Sequence, residues 1–132
     1  MAGEKILVVE DEEITVEDLV DTLELLGYDV VAAVPSGEEA VEKAGELLPD
    51  LVLMDIELEG EIDGIMSAKQ IKEEMDIPIV FLTAYSDEKT IEKLKLVEPE
   101  GYILKEPFNL IYKPFKEDEL RSVLELTLHK YK

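Results

Sequence analysis

The chain has no cysteine, a single histidine, and only 13 lysines and arginines among its 132 residues. Without cysteine, neither disulfides nor thiolate metal sites are available. His129 has no histidine or cysteine partner in the sequence, so it reads as a solvated or helix-end residue. No apolar run approaches the roughly 20 residues of a membrane span, and the start Met1-Ala2-Gly3-Glu4-Lys5 lacks a signal-peptide pattern. These absences predict a soluble, cytoplasmic protein. The few basic side chains face 33 acids, for a formal charge of −20. That balance argues against nucleic-acid or anionic-membrane partners and favours cationic ligands, metal ions or basic partner surfaces. The first strand-to-helix turn lacks a phosphate-binding glycine loop, having Glu10 to Glu13 there instead, which argues against dinucleotide binding.

What the chain does have is organised around Asp50-Leu51-Val52-Leu53-Met54-Asp55. A continuous apolar run of this length after Pro49 reads as a strand buried on both faces. Burying an ionised carboxylate is costly unless a cation or hydrogen bonds compensate it. Asp55 is therefore expected at the carboxyl end of its strand, where a parallel sheet opens to ligands.

Other strands and helices alternate around it. Lys5 to Val9 is a β-branched-rich strand ending in Glu10-Asp11-Glu12-Glu13. Val16, Leu19, Val20, Leu23 and Leu26 then recur at helical spacing, and Gly27 supplies the stop. Asp29 to Val34 is a second strand. Ser36 caps a second helix whose buried face is Ala40, Val41, Ala44, Leu47 and Leu48. Ile65, Ala68, Ile71 and Met75 mark a third helix, and Ile79 to Leu82 a fourth strand ending at Thr83-Ala84-Tyr85. Ser86 or Asp87 caps a fourth helix carrying Ile91, Leu94 and Val97. Tyr102-Ile103-Leu104-Lys105 is the expected fifth strand, and a last helix runs from about Glu117 through Leu120, Val123, Leu124 and Leu128. Alternating strands and helices of these lengths predict an α/β fold: a single domain with a doubly wound, five-stranded parallel sheet in the order 2-1-3-4-5.

In that order the first and third strands are neighbours, so Glu10, Asp11 and Asp55 converge. Converging carboxylates repel, and a hard divalent cation such as Mg²⁺ is the simplest remedy. Thr83 and Lys105 come to the same edge, forming a cradle for a phosphoryl group on the central carboxylate. An aspartate that attacks phosphorus becomes an aspartyl-phosphate. The acidic loop after Asp55 begins like an EF-hand, but the twelfth position, which should be a bidentate Glu, is Met66.

On these motifs the chain resembles the receiver domains of two-component response regulators, of the single-domain chemotaxis type. The matching residues are Val8-Val9-Glu10-Asp11-Glu12, Leu53-Met54-Asp55-Ile56, Asp63-Gly64-Ile65, Pro78 to Tyr85, and Gly101-Tyr102-Ile103-Leu104-Lys105. The resemblance spans nearly all of residues 1–132. It implies a flavodoxin-like fold, with Asp55 the phosphoacceptor for a histidine kinase. It also implies Mg²⁺ held by Glu10, Asp11, Asp55 and the Glu57 carbonyl, with Thr83 the switch hydroxyl and Tyr102 the switch aromatic. Phosphorylation would alter the surface of the fourth and fifth helices, which an unknown downstream protein would read. Such a protein is a monomer or weak homodimer and not a classical enzyme, beyond self-phosphorylation from a phosphodonor and slow autodephosphorylation.

One departure stands out. The family's lysine is followed directly by proline, whereas here the text runs Lys105-Glu106-Pro107-Phe108-Asn109-Leu110-Ile111-Tyr112-Lys113-Pro114-Phe115. Deleting residues 106–113 restores Gly-Tyr-Ile-Leu-Lys-Pro-Phe, so these eight residues read as an insertion. Lys105 keeps the family's spacing from Thr83 and is the favoured phosphate-facing lysine; Lys113, with its Lys-Pro-Phe context, is the alternative. Leu110 to Lys113 also echoes Tyr102 to Lys105, which allows two strand registers or a hairpin across Glu106 to Asn109. Two functions compete: a phosphorylatable switch, and a receiver-like scaffold, natural or engineered, that binds a partner without being phosphorylated. With no output domain after the last helix, either a single-domain regulator or an excised module is expected.

Overall fold

The computed structural model describes residues 3–55, 64–84, 109–113 and 117–130. Its strands are β1 (Lys5–Val9), β2 (Asp29–Val34), β3 (Leu51–Asp55), β4 (Ile79–Ala84) and β5 (Asn109–Lys113). Its helices are α1 (Glu13–Leu25), α2 (Gly37–Leu47), α3 (Gly64–Met75) and α4 (Glu117–Lys130). The strands form one sheet in the order β2-β1-β3-β4-β5, and every ladder in it is parallel.

The unbroken apolar runs of the central strands follow from two covered faces. Successive side chains of a strand point to opposite faces. Leu7, Val9, Val52, Met54, Ile79 and Phe81 accordingly pack on one side with Ala40 and Ala44 of α2 and Ala68 and Ile71 of α3. Ile6, Val8, Leu51, Leu53, Val80 and Leu82 pack on the other with Leu19 and Leu23 of α1 and Leu120, Leu124 and Leu128 of α4. Each of the valine, leucine, isoleucine, methionine and phenylalanine side chains among them contributes about 1.5–3 kcal/mol on burial. A polar residue inside either row would leave an unpaired group in the core, so acids enter only where the strands end.

The ends are set by local chemistry. Ser36 caps α2: its hydroxyl oxygen accepts from the Glu39 N–H at 3.2 Å, and the Glu39 carboxylate lies 3.1 Å from the same hydroxyl. Gly27 closes α1 at φ 98°, a left-handed conformation that a side chain would strain. At the opposite end of the sheet from the candidate site, the Asp50 carboxylate accepts from the Lys5 N–H at 2.7 Å and ties β3 to β1.

Two expectations need correction. Leu47 and Leu48 do not belong to the buried face of α2: Leu48 is the left-handed C-cap at φ 46°, so the chain leaves the helical path there, and both leucines are exposed. The strand beside β4 is also not Tyr102–Lys105 but Asn109–Lys113, eight residues later. Both segments have strand-forming composition, so local propensity does not separate them. Taking the later one leaves only residues 114–116 between β5 and α4. Residues 101–105, the hairpin expected across Glu106 to Asn109 and the fourth helix expected after Ser86 lie wholly or mostly outside the described residues.

Candidate functional site

The site is made where β1 and β3 run out of apolar residues. Val9 is paired with Met54 in the ladder, so Glu10 and Asp55 each follow one step later on adjacent strands. The Glu10 N–H donates to the Val34 carbonyl of β2 at 3.0 Å, which extends the sheet by one bond and holds the residue in place. Its carboxylate accepts from the Glu12 N–H at 3.1 Å as the chain turns into α1. The Thr15 hydroxyl donates to the Glu12 carboxylate in the first turn of that helix.

Glu10 and Asp55 are buried, at 2% and 6% exposure, while Asp11 is exposed. One carboxylate oxygen from each lies within 4.8 Å of the other two. At that separation two unit charges repel by about 3 kcal/mol at an effective dielectric near 20. The donor set is all oxygen, anionic and partly water-facing, which suits a hard divalent ion that keeps some of its waters. Three of the four expected metal-binding residues are thus brought together; Glu57 lies outside the described residues.

An open cleft runs from these acids along α1, lined by Glu10, Asp11, Glu13, Val16 and Glu17 and, on the β2 side, by Ala33, Val34 and Pro35. Glu17 was not anticipated as part of this rim. The signal was available, because Glu13 and Glu17 are one helical turn apart and share a face.

The remaining positions are set by backbone register. Asp55 is paired with Leu82, Leu82 with Ile111, Thr83 with Tyr112, and Ala84 with Lys113. Thr83 therefore sits one step beyond the row of Asp55 on the next strand, and Lys113 two steps beyond it on the strand after that. Tyr102 and Lys105 are outside the described residues. No described helix is long and apolar enough to cross a membrane.

Comparison with known proteins agrees with this geometry. The family model for the response regulator receiver domain matches residues 6–125. The transcriptional regulatory protein PdtaR of Mycobacterium tuberculosis is 33% identical over 128 residues, covering 97% of this chain and 58% of that protein. The alkaline phosphatase synthesis transcriptional regulatory protein PhoP of Bacillus subtilis is 45% identical over 87 residues, 65% of this chain and 35% of that protein. The chain thus spans about half the length, or less, of such relatives. Among solved structures, the signal receiver domain of a modulated diguanylate cyclase from Desulfovibrio desulfuricans superposes with a TM-score of 0.83 at 36% identity, covering 96% of this chain and 94% of that one. The receiver domain of PhyR from Erythrobacter litoralis gives 0.79 at 31% identity, covering 98% and 92%.

Proposed function

Because this chain belongs to the response regulator receiver family, we propose that it is a phosphorylatable switch in which Asp55 takes a phosphoryl group from a histidine kinase. The observation that carries this reading is the meeting of the Glu10, Asp11 and Asp55 carboxylates at the carboxyl ends of two central strands.

In the transfer, an Asp55 carboxylate oxygen attacks phosphorus. The P–N bond to the kinase imidazole breaks, its electron pair returns to the ring nitrogen, and an aspartyl-phosphate remains. Glu10 and Asp11, with the Glu57 carbonyl, would hold Mg²⁺, which lowers the repulsion between the acids and the incoming phosphoryl oxygens. Burial keeps Asp55 in a low-dielectric setting, where nearby positive groups act more strongly than in water.

The phosphate-facing lysine in this proposal is Lys113, not Lys105. Lys113 ends β5, two strands across from Asp55 and two residues further along. Strand spacing puts the two Cα atoms about 10 Å apart across the sheet and about 7 Å along it. An aspartyl-phosphate and an extended lysine span that distance between them. Thr83, one strand nearer, supplies the hydroxyl. Added charge at Asp55 then draws these groups toward the rim and changes the surface near β5 and α4, which a downstream protein reads. With Lys113 in the lysine position, Leu110, paired with Phe81, stands where the switch aromatic Tyr102 was expected, and the aromatic residue of this strand is Tyr112, paired with Thr83.

Fluorine NMR with beryllofluoride and Mg²⁺ tests the proposal. A bound-fluoride signal is expected in the parent protein, absent from Asp55→Asn, weakened in Lys113→Ala and unchanged in Lys105→Ala. A parent protein giving no Mg²⁺-dependent signal would favour the unphosphorylated scaffold. Loss of the signal only in Lys105→Ala would return that lysine to the site.

A further inference from the structure

The lane beside β4 has two well-matched occupants in the sequence. Residues 98–105 read Glu-Pro-Glu-Gly-Tyr-Ile-Leu-Lys and are followed at once by residues 106–113, Glu-Pro-Phe-Asn-Leu-Ile-Tyr-Lys. Glu98 and Glu106, Pro99 and Pro107, Ile103 and Ile111, and Lys105 and Lys113 are identical pairs. Tyr102 and Leu104 correspond to Leu110 and Tyr112, the same two residues with their places exchanged. Gly101 corresponds to Asn109, both residues that favour turns and strand starts. Four of the eight positions are thus identical, two of them within the five residues that form β5.

We propose that β5 is an exchangeable edge strand, in which an eight-residue slip replaces Asn109–Lys113 with Gly101–Lys105 in the lane beside β4. Three features of the fold permit it. Among the described residues β5 is the last strand of the sheet and pairs with β4 alone, so exchange breaks a single described ladder. The slip is even, so each position keeps its face, whereas an odd slip would invert the strand. The slip also moves eight residues from the β4–β5 connection to the β5–α4 connection, which becomes residues 106–116 in place of 114–116. Loop entropy changes only with the logarithm of length, so this transfer leaves both arrangements accessible.

The two registers are not equivalent at the rim. Both end in a lysine paired with Ala84, so a cation remains there. The partner of Thr83, however, changes from Tyr112 to Leu104, and the tyrosine moves back to Tyr102, beside Phe81. The slip therefore exchanges the aromatic next to Thr83 for an aliphatic residue while conserving the charge. This inference does not depend on phosphorylation of Asp55.

The absence of native cysteine makes the test direct. In the triple variant Ala84→Cys, Lys105→Cys, Lys113→Cys, mild oxidation traps whichever segment lies beside β4. Neighbouring strands about 4.8 Å apart fall within the Cα spacing a disulfide accepts. Peptide mapping by mass spectrometry should find both the 84–113 and 84–105 bridges in monomeric protein, the second at about 1% or more of the product, as for an accessible minor state. Hydrogen exchange should then find amides 110–112 protected in the first species and 102–104 in the second. Bridging to 113 alone would overturn the proposal. So would an 84–105 species in which 110–112 stay protected, or 84–105 bridges formed only between two molecules.

Discussion

Glu10 and Asp55, on adjacent strands, bring carboxylate oxygens to within 4.8 Å of each other while both residues are buried. The pairing of Val9 with Met54 imposes this, since each acid is the next residue on its strand. In the metal-free protein the two charges cost stability. Asp55→Asn removes one of them, and we expect the metal-free variant to be more stable than the parent by about 1–3 kcal/mol. Urea denaturation in EDTA checks this. Added Mg²⁺ should stabilise the parent and have much less effect on the variant. A variant less stable than the parent in EDTA would mean that Asp55 holds structure together by other contacts.

Tyr28, buried where α1 passes into β2, has its phenol pKa raised above the ordinary 10.0. Burial is the main cause, reinforced by the negative charges of Glu125 and Glu4 and partly offset by Arg121. Below pH 10 the phenol is protonated in folded and unfolded chains alike, and its contribution is fully present. Above pH 10 the unfolded chain releases its proton first, so stability falls as pH rises through the folded pKa. Tyr28→Phe should reduce that decline. Denaturation midpoints of parent and variant should diverge in slope only above about pH 10; parallel curves would refute the assignment.

Ser36 holds the first turn of α2 through the Glu39 N–H. Replacing it with alanine leaves that donor without its cap and should cost about 1 kcal/mol. Ser36→Asp should recover most of the loss, because aspartate caps equally well and its charge suits a helix N-terminus. Thermal unfolding of the three proteins checks the order. Equal stability of Ser36→Ala and the parent would mean that the rest of the helix sets its start.

Much of the fold could be read from the chain because its central strands are covered on both faces. Leu51 to Met54 cannot be anything but interior, and the acids that end β1 and β3 meet once the strand order is known. The meeting of the three carboxylates of Glu10, Asp11 and Asp55 needed no more than that. Leu47 and Leu48 misled because helical spacing continues past the point where Leu48 turns left-handed, a backbone event that hydrophobic pattern does not report. The fifth strand misled for a different reason. Two adjacent segments satisfy the same local rules, and choosing between them depends on pairing with β4 and on the short passage into α4, which are tertiary terms. The contribution of Glu17 to the rim was recoverable from its spacing to Glu13 but had no chemical partner in the text to draw attention to it.

Under the proposed function, Asp55 accepts phosphate with the help of a divalent ion held by its acidic neighbours. Incubation with acetyl phosphate, followed by intact-protein mass spectrometry, measures this most directly. A single phosphoryl adduct is expected on the parent protein with Mg²⁺, none in EDTA, and none on Asp55→Asn under either condition. An adduct that forms equally without Mg²⁺, or that persists in Asp55→Asn, would contradict it.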